Sequence, residues 1–309
     1  MNFKINIREE FEDLQVIFFI GGEGTRMKNL YYKYILPSKQ WLIVGFDENG
    51  EPIPLWFKNF EILRRAGLKN FYFLASNDRC FEYFKERFGN NLEYNLQFFS
   101  KEDFLKIKSG EDRIIKENGK VNIYVIETGK KGNGVELLYL YKLGIIEPIF
   151  LRVYGDEYLE IKNTDEVKEF IRWGIKKVIE EDMVSAFMCV PREKVKNKDL
   201  EKRLIFNIGR NGELLQEENG NFIVTSFTLH SIKFIELVEQ IGASSIEDER
   251  VMTHTFHKKV GKAIEVEFFV NVNTKKDYKI LQDLLGISQR FSFGFDCNNN
   301  NKKNLKEKN

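Results

Sequence analysis

Residues 16–26 read VIFFIGGEGTR, a continuous apolar run that ends directly in a glycine-rich loop. A short apolar run bounded by glycines predicts a strand that is buried on both faces, as in a parallel sheet. The pattern recurs along the chain, where apolar runs at 71–75, 121–126, 148–153 and 184–190 alternate with helical patterns at 56–66, 135–143 and 164–179. This alternation predicts an α/β fold, with a mostly parallel mixed sheet and helices on both faces.

The composition is that of a folded protein with no overall charge preference. The 309 residues carry 48 Lys and Arg against 47 Asp and Glu, which leaves a formal net charge of +1. Such a charge creates no field that would draw the whole molecule to nucleic acid or to an anionic membrane, so neither partner is predicted. The 28 phenylalanines supply enough apolar surface to build a core despite 31% charged residues.

The cysteines and the first residues predict a cytoplasmic location. Cys80, Cys189 and Cys297 lie far apart without a CxxC pair, so neither a disulfide framework nor a cysteine zinc site is expected. The opening residues, MNFKINIREEFEDL, are charged throughout, whereas a signal peptide has an apolar core. No apolar stretch reaches the length that spans a bilayer.

The only composition break lies near the end of the sequence. Residues 296–309 read DCNNNNKKNLKEKN and hold almost no apolar side chain that would offset the entropy of ordering them. We therefore predict one domain over residues 1–295 and a disordered tail over residues 296–309.

The loop after the first strand has the residues of a phosphate-binding site. Gly21, Gly22 and Gly24 allow backbone N–H groups to approach an anion, and Arg26 adds a permanently charged planar group. A tight turn with an exposed arginine is the alternative interpretation. The loop is not a dinucleotide fingerprint, since Met27 stands where a glycine is needed, and it lacks the Gly-Lys-Ser/Thr of a Walker A motif.

Further segments of the sequence favour the interpretation that the glycine loop binds phosphate. GGxGTR is followed by PSKQWLIV at 37–44, by EPIPLWFKNFEILRRAGLKNFYFLAS at 51–76, by VYGDEYL at 153–159 and by FFVNVNTKKDY at 268–278. In this order the segments resemble the motifs of the sugar-1-phosphate nucleotidyltransferases. Their residues are most similar to those of the glucose-1-phosphate thymidylyltransferases. The resemblance implies the Rossmann-like nucleotide-diphospho-sugar transferase fold.

The resemblance also implies roles for individual residues. The loop with Gly21, Gly22, Gly24 and Thr25 would hold the triphosphate of a nucleotide. Arg26 would neutralise the β and γ phosphates, and Lys39 would contact phosphate near the reacting centre. These cations suit a reaction in which an anionic sugar phosphate attacks the α-phosphorus and pyrophosphate leaves.

A magnesium site is implied by two further positions. Asp156 would hold Mg²⁺, and the position of a second acidic metal ligand in the resembled family is here Asn271, whose amide oxygen brings no negative charge. Gly155 and Asp156 taken alone are equally the residues of a plain turn.

The segment from Glu127 to Gly134 lies between a predicted strand and a predicted helix. Gly132 matches a glycine that packs against the base in the resembled family, and Glu127 falls where that family has a base-reading Gln. Because a carboxylate only accepts hydrogen bonds, Glu127 would favour a base edge with N–H donors, as in cytosine or guanine. The alternative is a surface turn carrying lysines.

Three functions remain open from the sequence. The first is Mg²⁺-dependent transfer of a nucleotidyl group from a nucleoside triphosphate to a sugar 1-phosphate or a similar phosphate. The second is a degenerate protein of the same kind that binds nucleotide or sugar phosphate for regulation. Asn271 favours it, as does the lack of a clear sugar-phosphate lysine between Phe206 and Val224. The third is a nicotinamide-dependent oxidoreductase, which Met27 disfavours.

Overall fold

The computed structural model describes residues 11–21, 36–103, 106, 114–129, 132–196, 205–216, 219–245, 250–251, 255 and 258–287. Fourteen strands lie in this part of the chain: β1 (Gln15–Phe19), β2 (Ile43–Phe46), β3 (Pro52–Pro54), β4 (Asn70–Ala75), β5 (Asn95–Phe99), β6 (Asn122–Glu127), β7 (Ile149–Tyr154), β8 (Glu157–Glu160), β9 (Ser185–Pro191), β10 (Ile205–Ile208), β11 (Leu214–Gln216), β12 (Phe222–Ser231), β13 (Lys259–Ala263) and β14 (Phe268–Asn271). Six α-helices have both ends within the described residues: α1 (Leu55–Arg65), α2 (Asp78–Phe88), α3 (Asn133–Lys142), α4 (Asp165–Glu180), α5 (Ile232–Ile241) and α6 (Lys275–Leu284).

The described strands form one large sheet and two small ones. The large sheet runs β11-β10-β12-β7-β1-β4-β6-β5, and β9 pairs with both β12 and β13. Strands β7, β1, β4, β6 and β5 are parallel, as are β9 and β13, whereas β12 is antiparallel to its neighbours. The antiparallel pairs β8–β14 and β2–β3 are separate. The predicted α/β class with a mostly parallel mixed sheet is confirmed.

Strand β1 is buried along its whole length and shows why helices cover both faces. Val16 and Phe18 belong to one apolar cluster, to which α1, α2, α4 and α6 contribute. Ile17 and Phe19 belong to a second cluster on the opposite face, to which α3 and α5 contribute. Because successive side chains of a strand point to opposite faces, a strand that is apolar at every position requires two covering layers.

An aromatic cluster anchors the short 3-10 helix Lys39–Trp41 to the first layer. The ring of Trp41 lies edge-on to Trp56 at 5.4 Å and to Phe84 at 5.6 Å, and Trp56 in turn stacks on Phe84. Both tryptophans are buried. Each such ring pair adds about 0.5–1.5 kcal/mol beyond the burial of its area. The packing of Trp41 therefore holds Lys39 in a defined position.

The N-cap residue of α4 makes no capping hydrogen bond through its side chain. Thr164 occupies the N-cap position, but its backbone is already helical and its side chain makes no capping hydrogen bond. The Oδ1 atom of Asn163 instead accepts from the Asp165 amide at 2.9 Å. Thr274, before α6, does cap its helix, in a reciprocal pair with Asp277.

The predicted boundary at residue 295 and the tail 296–309 lie outside the described residues, so both stay predictions. Within the described helices, no segment has the length and apolarity needed to cross a bilayer.

Candidate active site

Three of the predicted site segments meet at one edge of the large sheet. The parallel register pairs Phe19 with Leu74 and with Tyr154, and it pairs Leu74 with Ile126. The chain therefore leaves β1, β4, β6 and β7 at the same level, and the loops that follow them share this carboxyl edge. Ligands of open α/β sheets bind at such an edge.

The glycine loop begins in tight contact with the turn after β4. A Cβ atom on Gly21 would lie 2.4 Å from the Ser76 hydroxyl and 2.5 Å from the Ser76 backbone nitrogen, so only glycine fits there. The Ser38 hydroxyl donates to the carbonyl of Ile20, the residue that precedes Gly21, at 2.9 Å. The first residue of the loop is thus fixed by its neighbours. Gly22, Gly24, Thr25 and Arg26 lie outside the described residues, and their roles stay predictions.

Lys39 and Asp156 form an ion pair at this edge. Their side chains keep 15% and 16% of their surface exposed, so a ligand from solvent has access to both. Asp156 follows Gly155 in the turn between β7 and β8, as expected for a carboxylate at a strand end. A Cβ on Gly155 would lie 2.9 Å from the Cβ of Trp56, which explains the glycine through close packing.

A chain of hydrogen-bonded polar side chains extends from this ion pair to the β8–β14 strand pair. Lys39 Nζ donates to Asn273 Oδ1 at 2.9 Å, and Asn273 Nδ2 donates to Asn271 Oδ1 at 2.6 Å. Asn271 Nδ2 makes a long hydrogen bond of 3.5 Å to Glu157 Oε1. The structure thus brings together Lys39, Asp156 and Asn271, which the sequence singled out.

Glu157 and Asn273 also belong to this site, and the sequence reasoning did not identify them. Glu157 is only 3% exposed and faces Asn271 directly across the β8–β14 pair. Its Oε2 accepts from the Ser226 amide at 2.6 Å. Its position next to Asp156 was visible in the sequence, but the pairing of β8 with β14 was not.

The oxygen atoms at this site fit a magnesium ion that is shared with a substrate. Asp156 supplies a carboxylate, and Asn271 and Asn273 supply amide oxygens, which are hard ligands of the type that Mg²⁺ prefers. Among the described residues, no group of three or more His, Cys, Asp and Glu side chains is arranged to hold a metal. The protein therefore offers a partial set of ligands, as in sites where Mg²⁺ is bound by one or two carboxylates plus phosphate oxygens.

Glu127, predicted to face a nucleotide base, lies at the end of β6 and is 8% exposed. Lys101 Nζ binds its Oε1 at 2.7 Å and also donates to Asp78 at 2.9 Å. These contacts raise the pKa of Lys101, with the hydrogen bond to Glu127 as the main cause. Glu127 is therefore a carboxylate whose charge is neutralised by a lysine. Together the two side chains present a hydrogen-bond donor beside a hydrogen-bond acceptor to a ligand.

Gly132 is the N-cap residue of α3 and has a backbone φ of 101°, which favours glycine. A Cβ there would also lie 2.5 Å from the Ser244 carbonyl oxygen. The glycine therefore lets the start of α3 pack against the segment after α5. Whether Gly132 also contacts a base stays a prediction.

A buried carboxyl group lies beneath these loops. Glu136, in the first turn of α3, accepts a hydrogen bond of 2.7 Å from the Thr128 hydroxyl. Desolvation by burial raises the pKa of Glu136 to about 8. At neutral pH the group is therefore largely protonated in the folded protein.

Polar side chains of β7 form a hydrogen-bonded group with residues of α3 and β12. The Tyr154 hydroxyl receives a hydrogen bond from Asn133 Nδ2 and another, of 3.1 Å, from Arg152 Nη1. Arg152 is buried within β7 and also donates to Thr228 at 2.9 Å. The sequence showed Arg152 only as a charge within an apolar run.

Comparison with solved structures identifies the fold. The described chain resembles a protein assigned as a glucose-1-phosphate thymidylyltransferase from Bacillus anthracis, with a TM-score of 0.58, 13% identity and coverage of 88% of this chain and 95% of that one. It also resembles the inositol-1-phosphate CTP transferase from T. maritima, with a TM-score of 0.54, 14% identity and coverage of 88% and 95%. A third similar structure is the UDP-glucose pyrophosphorylase from Acinetobacter baumanii. Its TM-score is 0.59 and its identity 12%, and the match covers 90% of this chain and 97% of that one.

These likenesses span nearly the whole length of each of the three proteins. At 12–15% identity they show a shared fold, and they confirm the nucleotide-diphospho-sugar transferase architecture that the motifs implied. No protein-family model and no curated protein matches the sequence.

Proposed function

We propose that this chain, which has the fold of sugar-1-phosphate nucleotidyltransferases, transfers a nucleotidyl group from a nucleoside triphosphate to a sugar 1-phosphate or a similar phosphate. The reaction releases pyrophosphate and depends on Mg²⁺. The observation that carries the proposal is the ion pair of Lys39 with Asp156, beside Asn271 and Asn273, at the carboxyl edge next to the glycine loop.

The chemistry requires positioning and charge neutralisation. An oxygen of the acceptor phosphate forms a bond to the α-phosphorus while the bond from that phosphorus to the bridging oxygen of pyrophosphate breaks. The nucleophile is already an anion, so the protein needs no general base. Enzymes of this type lower the barrier mainly by holding the reactants in line and by placing cations where negative charge develops.

The side chains at the edge match these requirements. Lys39 is held by Trp41 and by its two oxygen partners, so its ammonium group is already oriented to receive a phosphate oxygen. Arg26, in the loop that continues from Gly21, would neutralise the leaving pyrophosphate. Mg²⁺, held by Asp156 with Asn271 as a neutral ligand, would supply a divalent positive charge to the phosphate oxygens.

The base would be contacted by Glu127 together with Lys101. The sequence predicted CTP or GTP as better substrates than dTTP or UTP, because a lone carboxylate repels the 4-keto oxygen of thymine and uracil. Lys101 now supplies a donor for such a keto oxygen at 2.7 Å from the carboxylate. A preference for CTP and GTP therefore requires that Glu127 faces the base. If Lys101 faces it, UTP and dTTP are accepted as well.

A regulatory protein that binds the same ligands without turnover is the second candidate. Asn271 favours it, because Asp156 is then the only carboxylate among the described residues that we assign to the metal. The oriented Lys39 and Asp156 favour an enzyme, since binding alone does not require an ammonium group and a carboxylate to be held together at the expected reaction centre.

Release of pyrophosphate from a panel of nucleoside triphosphates mixed with sugar 1-phosphates tests the proposal. We expect release that requires both substrates and Mg²⁺ and that stops when EDTA is added. Glu86→Gln, an exposed change on α2, serves as the matched control and keeps wild-type turnover. Saturable nucleotide binding without any release would show the regulatory protein instead.

A further inference from the structure

We propose that Asp78 and Gly129 are positioning residues for nucleotide selection, because they hold Lys101 as an oriented hydrogen-bond donor beside Glu127. This inference rests on the proposed function. It adds to that function the residues that decide how well a base with a 4-keto oxygen, as in uracil or thymine, is bound.

Asp78, Lys101 and Glu127 reach the same place from three neighbouring strands. Glu127 is the last residue of β6, Lys101 follows β5, and Asp78 begins α2, which follows β4. Strand β6 is parallel to both β4 and β5, so the three side chains start from the carboxyl edge of the sheet. They therefore meet at the position where Glu127 is proposed to contact the base.

The backbone that carries Lys101 is fixed at the end of β5. The Ser100 amide and hydroxyl both donate to Asp103 Oδ2 at 2.8 Å, and the Asp103 amide donates back to the Ser100 hydroxyl at 3.3 Å. Such a reciprocal pair of contacts defines how the chain turns after a strand. Lys101 therefore starts from a defined position, and only its side chain remains to be oriented.

Gly129 provides the surface on which the Lys101 side chain lies. Its backbone φ is 58°, in the left-handed region that favours glycine. A Cβ atom there would lie 2.2 Å from Lys101 Cε and 3.0 Å from Lys101 Cδ. The far end of a lysine moves readily, so a larger residue at position 129 would displace the ammonium group while the fold is kept. The glycine therefore sets where the ammonium group lies.

The two carboxylates set the direction of the ammonium group. Lys101 Nζ donates to Glu127 Oε1 at 2.7 Å and to Asp78 Oδ1 at 2.9 Å. An ammonium group has three N–H donors in tetrahedral directions, so two fixed partners also fix the third direction. Among the described residues the third N–H has no hydrogen-bond partner, and 47% of the Lys101 side chain is exposed. Lys101 thus presents one oriented donor to a ligand beside the Glu127 carboxylate.

This donor and this acceptor complement one edge of uracil and thymine. Each of these bases has an N3–H donor next to a 4-keto oxygen, which is an acceptor. Glu127 can accept from N3–H while the third N–H of Lys101 donates to the keto oxygen. A keto oxygen left unpaired next to a carboxylate is unfavourable. The direction of the ammonium group therefore governs how well these bases bind.

Four variants separate this role from plain neutralisation of Glu127 by a lysine. Asp78→Ala removes one of the two partners and lets the ammonium group rotate, whereas Asp78→Asn keeps an acceptor oxygen and removes only the charge. Gly129→Ala displaces the Lys101 side chain. Gly144→Ala is its matched control, since Gly144 has a similar φ of 69° and a Cβ there would meet no atom within 4 Å.

The ratio of the affinities for UTP and CTP, measured by isothermal titration calorimetry of the full chain with Mg²⁺, provides the readout. We expect Asp78→Ala and Gly129→Ala to lower the affinity for UTP relative to CTP about 3- to 10-fold, less than Lys101→Met does. Asp78→Asn and Gly144→Ala should keep the wild-type ratio. In the Lys101→Met background, Asp78→Ala should cause no further change, because it acts through Lys101.

The outcomes distinguish this inference from the proposed function. An unchanged ratio in Asp78→Ala or in Gly129→Ala would overturn the role of that residue while the proposed function stands. So would a ratio in Asp78→Asn as low as in Asp78→Ala, or a further change in the double variant. A wild-type chain that binds neither nucleotide would overturn the proposed function and the inference with it. If Gly129→Ala does not fold, the Asp78 variants carry the test from an exposed position.

Discussion

The ammonium group of Lys39 forms an ion pair with the carboxylate of Asp156 across the carboxyl edge of the large sheet. One residue belongs to a 3-10 helix held by buried tryptophans, and the other follows β7 in a turn where close packing permits only glycine at position 155. Two rigid elements therefore bring a cation and an anion together where phosphate and Mg²⁺ would bind.

Replacement of Asp156 by asparagine should abolish Mg²⁺-dependent turnover while the fold remains intact. Asp156 is the only accessible carboxylate assigned to the metal among the described residues, and loss of such a preorganised charge lowers kcat about a hundredfold or more. Pyrophosphate release at several Mg²⁺ concentrations measures the effect, and circular dichroism checks the fold. A variant that stays active and responds to Mg²⁺ as the wild type does would contradict the assignment.

Lys39→Ala and Arg26→Ala should weaken the handling of the triphosphate more than they weaken the fold. For Arg26 we expect a change of about 0.5 kcal/mol or less in the free energy of unfolding, as for a surface truncation. For Lys39 the ion pair raises the expected loss to about 1 kcal/mol, still below the roughly 3–5 kcal/mol of a fully buried pair. Thermal unfolding and the KM for the triphosphate are the measurements. A large fall in Tm with unchanged KM would show an ion-pair partner without a role in the reaction.

Lys101→Met should shift the choice of base. Removing the ammonium group leaves Glu127 as an acceptor only, so an unpaired contact with the keto oxygen of uracil or thymine would lose about 1–3 kcal/mol of binding. Turnover with UTP and dTTP should therefore fall relative to turnover with CTP and GTP. Lys106→Met, at an exposed lysine five residues further along the chain, is the control. Identical ratios in Lys101→Met and wild type would place Lys101 and Glu127 outside the base pocket.

Glu136→Gln should make the protein more stable in alkaline solution. The pKa of Glu136 is raised by burial to about 8 in the folded state, from an ordinary value of 4.5. The folded state thus binds more protons between these values, and the stability associated with Glu136 is fully present below pH 4.5 and is lost as the pH rises through 8. Glutamine keeps a carbonyl oxygen for Thr128 and cannot ionise.

Denaturant titrations at several pH values measure this difference. The gain of Glu136→Gln over wild type should grow from about pH 5 to about pH 9, by at most about 1.4 kcal/mol for each unit of pKa shift. Glu86→Gln, at an exposed position on α2, should show no such trend. A gain that is the same at every pH would mean that Glu136 is not ionised on unfolding as proposed.

The architecture could be read from the amino-acid sequence because it depends on local patterns. An apolar run such as VIFFI can bury its side chains only between two covering layers, and alternating strands and helices supply these layers. The glycines at 21 and 155 and the carboxylate at 156 likewise mark strand ends that a parallel sheet must bring to one edge. These features depend on residues that are close together in the chain.

The partners of the site residues depend on contacts between distant segments, and no local pattern encodes them. Asn271 faces Glu157 because β14 pairs with β8, and Lys39 reaches Asn273 across a separation of 234 residues. Glu127 was expected to be a free acceptor, but Lys101 comes from the segment after β5 and neutralises it. Residue types therefore predicted which functional groups lie at the carboxyl edge. The packing of β8, β14 and the loops decided the charge environment and the orientation of each group. This part could not be predicted locally because hydrogen bonds and ion pairs form only between groups in contact.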